Sequence, residues 1–202
     1  MNTRALIIFV RTPELGMVKT RLAKTMGDAD ALAIYQALLQ HTRAITVNYS
    51  CDKFLFYAGT TNSNDIWDDT CYIKKEQSGN HLGERMLHAF TDLFSKGYKE
   101  VLIIGSDCPG LTPALIHTAF EQLATKKIVI GQSMDGGYYL LGMTELISSL
   151  FEDKAWSTDR LCEQTIQTIN ESKLSYSLLP VLADIDTEED WIQNRHLLDE
   201  KY

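Results

Sequence analysis

The sequence predicts an α/β fold built on a mostly parallel sheet. Three observations carry this: short apolar runs rich in β-branched residues that read as strands buried on both faces, amphipathic helical stretches alternating with them, and no repeat or low-complexity linker in 202 residues. A chain of this length suits one domain, 1–202.

Arg4 to Val10 is the first strand. Its apolar run is brief, Arg11-Thr12-Pro13-Glu14 follows, and no small-residue cleavage site appears, so it reads as core rather than as a signal peptide. Thr20 to Met26 begins a helix, and Ala29 to Val47 is a longer one with Leu32, Tyr35, Leu38, Leu39 and Ile45 near helical spacing. Lys53 to Ala58 is a strand. Thr60 to Asp69 is polar and reads as loop with one helical turn, before a short strand near Cys71-Tyr72-Ile73. Leu82 to Phe94 is a helix facing inward through Met86, Leu87, Phe90, Leu93 and Phe94. Its His88 falls on the solvated side.

Val101 to Ile104 is the central strand. It stops at Gly105 and presents one carboxylate, Asp107, at its carboxyl end, where open α/β sheets bind ligands. Thr112 then caps a helix with Pro113 in its first turn, running to Ala124. Lys127 to Gly131 and Tyr138 to Gly142 are strands joined by a turn too short for a parallel crossover, which allows antiparallel pairing. Trp156-Ser157-Thr158 starts a helix to Asn170, Ser175 to Leu179 is a strand, and Thr187 to Leu198 is the last helix, opened by the capping box Thr187-Glu188-Glu189-Asp190.

The composition, 45% apolar and 23% charged, is that of an ordinary soluble protein, with no run near the ~20 apolar residues that span a bilayer. A net charge of −8 argues against a nucleic-acid polymer as partner. Cys51, Cys71, Cys108 and Cys162 show no metal-like spacing, and reduced thiols in a cytoplasmic protein are the expectation. Cys108 reads as a small buried residue that lets its turn close.

Three segments carry chemistry. Asp107 is well placed to hold a divalent cation and, through it, phosphates, although it could simply close its turn. In the loop RTPELGMVKTRLA, Gly16 permits close backbone approach and Arg11, Lys19 and Arg21 bring three cations to one loop leading to a helix, which suits an anion cradle, with a solvated basic loop as the alternative. Met17 and Val18 separate Gly16 from Lys19, so it is not a Walker A loop. The third segment, Asp135-Gly136-Gly137, allows positive φ beside a ligand or a plain hairpin turn, and Asp135 could orient an acceptor or act as base.

RTPELGMVKTRLA, GNHLGERM (79–86), IGSDCPGL (104–111), DGGYYLLG (135–142), WST (156–158) and DIDTEEDW (184–191) occur in this order across almost the whole chain. Together they resemble the bacterial family of small GT-A-type, glycosyltransferase-like proteins, the radical-SAM/selenodomain-associated transferases. They are more distantly similar to the nucleotidyltransferases that act on molybdopterin or phospholactate. The resemblance implies a nucleotide-diphospho-sugar-transferase fold, a three-layer α/β/α sandwich. It implies nucleotide phosphates wrapped by Arg11, Gly16, Lys19 and Arg21, and Mg²⁺ or Mn²⁺ on Asp107 with Asp186 as second ligand. A substrate pocket would involve His81, Gly83, Arg85, Gly136, Gly137, Tyr138 and Trp156, the last either packed or stacked on a base. Two departures touch that pocket: His81 stands where the family pattern is acidic, and Gly131-Gln132-Ser133 replaces a Gly-Pro-small turn.

The implied activity is metal-dependent transfer from a nucleotide-sugar donor to an acceptor the sequence does not identify. Nucleotidyl transfer from a nucleoside triphosphate, with release of pyrophosphate, is the alternative. A non-catalytic nucleotide-binding sensor is the alternative from another class.

Overall fold

The structure, a computed structural model, describes residues 2–62, 64–156 and 158–199. Seven strands form one sheet: β1 (Arg4–Val10), β2 (Asp52–Tyr57), β3 (Ile73–Glu76), β4 (Glu100–Ile104), β5 (Ile128–Ser133), β6 (Tyr138–Met143) and β7 (Tyr176–Leu182). Their order is β3-β2-β1-β4-β6-β5-β7. Every neighbouring pair is parallel except those of β6, which runs antiparallel to both β4 and β5.

The helices are α1 (Thr20–Met26), α2 (Asp28–Thr46), α3 (Leu82–Ser95), α4 (Pro113–Leu123), α5 (Leu161–Glu171), α6 (Glu188–Asn194) and α7 (His196–Asp199). Alternation along β1 decides which helix meets which face. Leu6, Ile8 and Val10 pack with Tyr35 and Leu39 of α2 and with Ile116, Ala119 and Phe120 of α4. Ala5 and Ile7 pack with Met86, Phe90 and Leu93 of α3 and with Cys162 and Ile169 of α5. The expected three-layer sandwich with a mostly parallel sheet is the result. Full burial of side chains such as Phe90 and Phe120 contributes roughly 1.5–3 kcal/mol each.

The caps read from sequence are present. The Thr112 hydroxyl accepts from the Leu115 N–H, and Thr187 and Asp190 form the capping box. Four boundaries differ. The third strand, expected near Cys71-Tyr72-Ile73, is present but begins only at Ile73 and runs to Glu76, because Tyr72 turns inward against Trp67. The polar loop before it holds no helical turn among its described residues. The helix expected from Trp156 begins only at Leu161, since the preceding segment packs against the Gly136 turn; Ser157 lies outside the described residues. The last helix divides after Asn194, where the Leu198 N–H bonds the Arg195 carbonyl three residues back instead of four.

Strand order reverses at β1, whose two neighbours β2 and β4 lead the chain to opposite sides of the sheet. In open α/β sheets the crevice beyond such a pair is the usual ligand site.

Candidate active site

A cleft of about 1030 Å³ opens over the carboxyl ends of β1 and β4. From the sequence-derived residues it collects Arg11, Lys19, Arg21, His81, Arg85, Asp107, Asp135, Gly137, Tyr138, Trp156 and Asp186. Gly16, Gly83 and Gly136 do not line it. Gly16 has φ +74 and shapes its loop beside Asp28. Gly83 is the seat of Trp156, whose ring atoms lie 2.3–2.5 Å from where a Cβ would stand. At Gly136 (φ +86) a Cβ would meet the Asp159 carbonyl oxygen at 2.0 Å, so only glycine lets these two segments touch.

The basic loop is anchored from beneath. Tyr35 of α2, buried, accepts a hydrogen bond from the Arg11 N–H (2.8 Å) and donates one to the Arg11 carbonyl (3.2 Å). Lys19 ends the loop as the first flanking residue of α1, in the left-handed region at φ +46. A lysine there is strained, and such strain persists where the surroundings over-determine the backbone. Its side chain does not cap the helix. It runs inward, only 7% exposed, and its ammonium donates to Asp107 Oδ2 (3.1 Å) and to Asp186 Oδ1 (2.9 Å).

The two carboxylates reach one ammonium because the chain is tied there. The Ile185 N–H donates to the Asp107 carbonyl (3.0 Å), and the Ile185 side chain is fully buried among α1, α2 and α7. With Ile185 inward, Asp184 and Asp186 both line the cleft. The Asp190 carboxylate accepts from the Asp186 and Thr187 N–H groups and so fixes the backbone there, while the Asp186 carboxylate itself meets Lys19 and, at 3.5 Å, Arg21. Gly105 gives the Asp107 carboxylate room, since a Cβ there would stand 2.8 Å from Asp107 Oδ1.

Asp184 is the residue that sequence reading passed over in favour of Asp186. Its Oδ1 is buried without a hydrogen-bond partner. Burial first, then the charges of Asp107 and Asp135, push its carboxyl well above the ordinary range. Burial alone would lower the Lys19 ammonium, but Asp107 and Asp186 override it and hold the ammonium above its usual value. Burial likewise raises the Cys108 thiol beside them, which keeps that sulfur neutral and unsuited to attack.

Asp135 closes the β5–β6 hairpin. One of its oxygens accepts from the Ser133 hydroxyl and from the Gly137 N–H (2.9 Å). His81 caps α3, its ring nitrogen accepting from the Glu84 N–H. Trp156 lies parallel to Phe151 with ring centroids 6.4 Å apart, so it both packs and faces the cleft. Arg85 is fixed by its Nε bond to the Gly79 carbonyl (3.0 Å).

Carboxylate oxygens are the donors that hard divalent cations prefer. Asp107 and Asp186, with the unpartnered Asp184 oxygen nearby, fit such an ion in chemistry. No three metal-ligating side chains converge on one point among the described residues, however, and the Lys19 ammonium sits between two of these carboxylates.

Solved structures share this fold over nearly the whole chain. A protein from Desulfovibrio desulfuricans G20, provisionally assigned as a nucleotide-diphospho-sugar transferase, is 25% identical with a TM-score of 0.86, covering 99% of this chain and 98% of that one. CMP:2-keto-3-deoxy-manno-octonic acid synthetase, solved with CTP, is 9% identical with a TM-score of 0.61, covering 98% and 99%. Rv0371c of Mycobacterium tuberculosis H37Rv, solved with manganese, is 13% identical with a TM-score of 0.53, covering 98% and 99%. The fold is thus one shared with nucleotide-diphospho-sugar transferases and nucleotidyltransferases. No curated protein sequence matches the chain. Residues 41–158, more than half of its length, match the family described as an uncharacterized protein conserved in bacteria (DUF2064), and the chain belongs to that family.

Proposed function

We propose that this protein is a divalent-cation-dependent transferase acting on a nucleotide-activated donor, a nucleoside-diphosphate sugar. The observation that carries the reading is the meeting, at the β1/β4 crevice, of Asp107, Asp184 and Asp186 with the cations of the 11–21 loop. Asp107 and Asp186 would hold the ion, with Asp184 as a further acceptor. Bound there, Mg²⁺ or Mn²⁺ supplies charge neutralisation to the donor phosphates as the leaving group departs. Arg11, Lys19 and Arg21, which line the same cleft, offset the remaining phosphate charge, the guanidinium groups by two-point contact and Lys19 as a point charge. Trp156 offers a flat apolar wall, and Asp135 keeps one oxygen free of the hairpin to orient an acceptor hydroxyl. Catalysis on this plan is positioning and electrostatics.

Nucleotidyl transfer from a triphosphate is the second reading. It is favoured by the presence of three cations in the cleft, Arg11, Lys19 and Arg21, which exceeds what a single phosphate needs, and by the CTP that the octonic acid synthetase of like fold binds.

Calorimetry of the protein against nucleoside di- and triphosphates and nucleotide sugars, with and without Mn²⁺, tests both. Manganese-dependent binding of a nucleotide sugar, lost in Asp107→Ala, is the expected outcome. Preference for a triphosphate would move the assignment to nucleotidyl transfer. Absence of binding to every member of the panel would sink the transferase reading.

A further inference from the structure

We propose that the Lys19 ammonium is a built-in counter-ion that keeps the cation-binding carboxylates closed until donor phosphates draw it away, so that cation and nucleotide binding are positively coupled. The inference rests on the carboxylate site proposed above and adds its regulation.

Geometry is the first support. Lys19 Nζ lies within hydrogen-bonding distance of both Asp107 Oδ2 (3.1 Å) and Asp186 Oδ1 (2.9 Å), which are the groups a divalent ion would need. An ion placed on those oxygens would face a cation only a few ångströms away, and like charges that close repel strongly in a partly buried setting. Hence the free protein should bind cations weakly.

Lys19 also has the means to leave. Its attachment is a flexible four-carbon stem on a residue at the very start of α1, and it makes no capping bond that departure would break. The same ammonium lines the cleft where phosphates would lie, as do Arg11 and Arg21. A phosphate oxygen can therefore replace a carboxylate as its partner, whereas an uncharged ligand could not.

Asp184 supplies the asymmetry. Its buried Oδ1 has no partner while Lys19 is engaged with Asp107 and Asp186. With Lys19 turned to phosphate, the Asp107 and Asp186 oxygens it held are released, and a divalent ion can take its place between them, with the unpartnered Asp184 oxygen as a further acceptor. Each ligand thereby prepares the site for the other, and the coupling is reciprocal.

The test is Mn²⁺ titration, without nucleotide, of wild type, Lys19→Met, Lys19→Gln and Lys19→Arg, each checked for native circular dichroism. The neutral variants should bind Mn²⁺ on the order of tenfold more tightly than wild type, within the range usual for coupled sites. Lys19→Arg, which keeps the charge, should stay as weak as wild type. Neutral variants that fold but bind Mn²⁺ no better than wild type would overturn the proposal, even where wild type binds Mn²⁺ together with a nucleotide. Should no variant and no nucleotide yield Mn²⁺ binding, the transferase reading falls with it. If the neutral variants do not fold, the ammonium resonance of Lys19 in ¹⁵N-labelled wild type decides: it must shift when inorganic pyrophosphate is added with Mg²⁺, and an unmoved resonance refutes the exchange.

Discussion

Tyr35→Phe isolates what holds the basic loop in place. The substitution removes one oxygen from a side chain 4% exposed and leaves ring volume unchanged, so no cavity forms. Two hydrogen bonds with the Arg11 backbone disappear, one from its N–H and one to its carbonyl, and the interaction with the Ser106 hydroxyl goes with them. A lost bond is worth about 0.5–1.5 kcal/mol net, and a stranded buried donor about 1–3 kcal/mol. Because Arg11 is itself exposed, water can reach part of the vacated site, and the expected loss is about 1–2 kcal/mol. For a chain of this size that lowers the melting temperature by roughly 2–8 °C. Urea denaturation should show a lower midpoint with an unchanged slope. Nucleotide affinity should fall too, by roughly five- to thirtyfold if the whole loss is felt at the loop. A variant within about 0.5 kcal/mol of wild type would show that the hydroxyl does not anchor the loop, and the account of the phosphate wall would lose its support.

Three further outcomes are expected. Gly83→Ala gains about 1 kcal/mol of helix propensity but forces Trp156 from its seat at an overpacking cost of about 1–3 kcal/mol; near-ultraviolet circular dichroism should change, and an unchanged spectrum would contradict the contact. Thr112→Ala removes the α4 cap and should cost about 1 kcal/mol in thermal melts while leaving calorimetric nucleotide binding intact. At Asp92 burial alone would raise the carboxyl, but hydrogen bonds from Lys75 and Lys96 prevail and hold it below its ordinary value. Its stabilisation is therefore complete above the unfolded pKa and lost as pH falls through the lowered folded value. Asp92→Asn should then destabilise by under about 1 kcal/mol at pH 7, with the difference from wild type vanishing in strong acid, and a difference that persists there would refute the assignment.

The sheet was legible because its signals are local. Four apolar residues before Gly105, a threonine before Pro113 and the Thr187–Asp190 pair each declare an element boundary within a few positions. The bounds of β3 read too early in the sequence because it is an edge strand of sequence Ile-Lys-Lys-Glu, whose lysines pair with Asp65, Asp69 and Asp92, while the more apolar Tyr72 beside it packs into the core without being a strand. Charged edges are common protection against unwanted pairing, and they hide the strand from a hydrophobicity reading. In the candidate site, Asp107 announced itself at a strand end. Asp184 could have been found from its two-residue offset to Asp186, since alternate residues of an extended chain share a side. Nothing local told that Lys19 would spend its charge on Asp107 and Asp186 rather than stand in solvent. That pairing joins positions 88 and 167 residues apart and exists only once the sheet has brought them together.

Such separations bear on how the chain comes to be active. Central strand β1 takes β4 as a partner 96 residues away, and contacts of this range slow folding because loop closure must precede the gain. On a ribosome adding about 5–20 residues per second, Lys19 emerges roughly 8–33 s before Asp186 follows. Through that interval the loop has its cations but not the carboxylate that will hold one of them. The segment carrying Asp184 and Asp186 is also fastened after the last edge strand, by the Ile185 backbone bond and a small helical cluster. Fraying there would dissolve the cleft's chemistry while β1, β2 and β4 stay paired, so loss of competence on mild heating should precede loss of the fold.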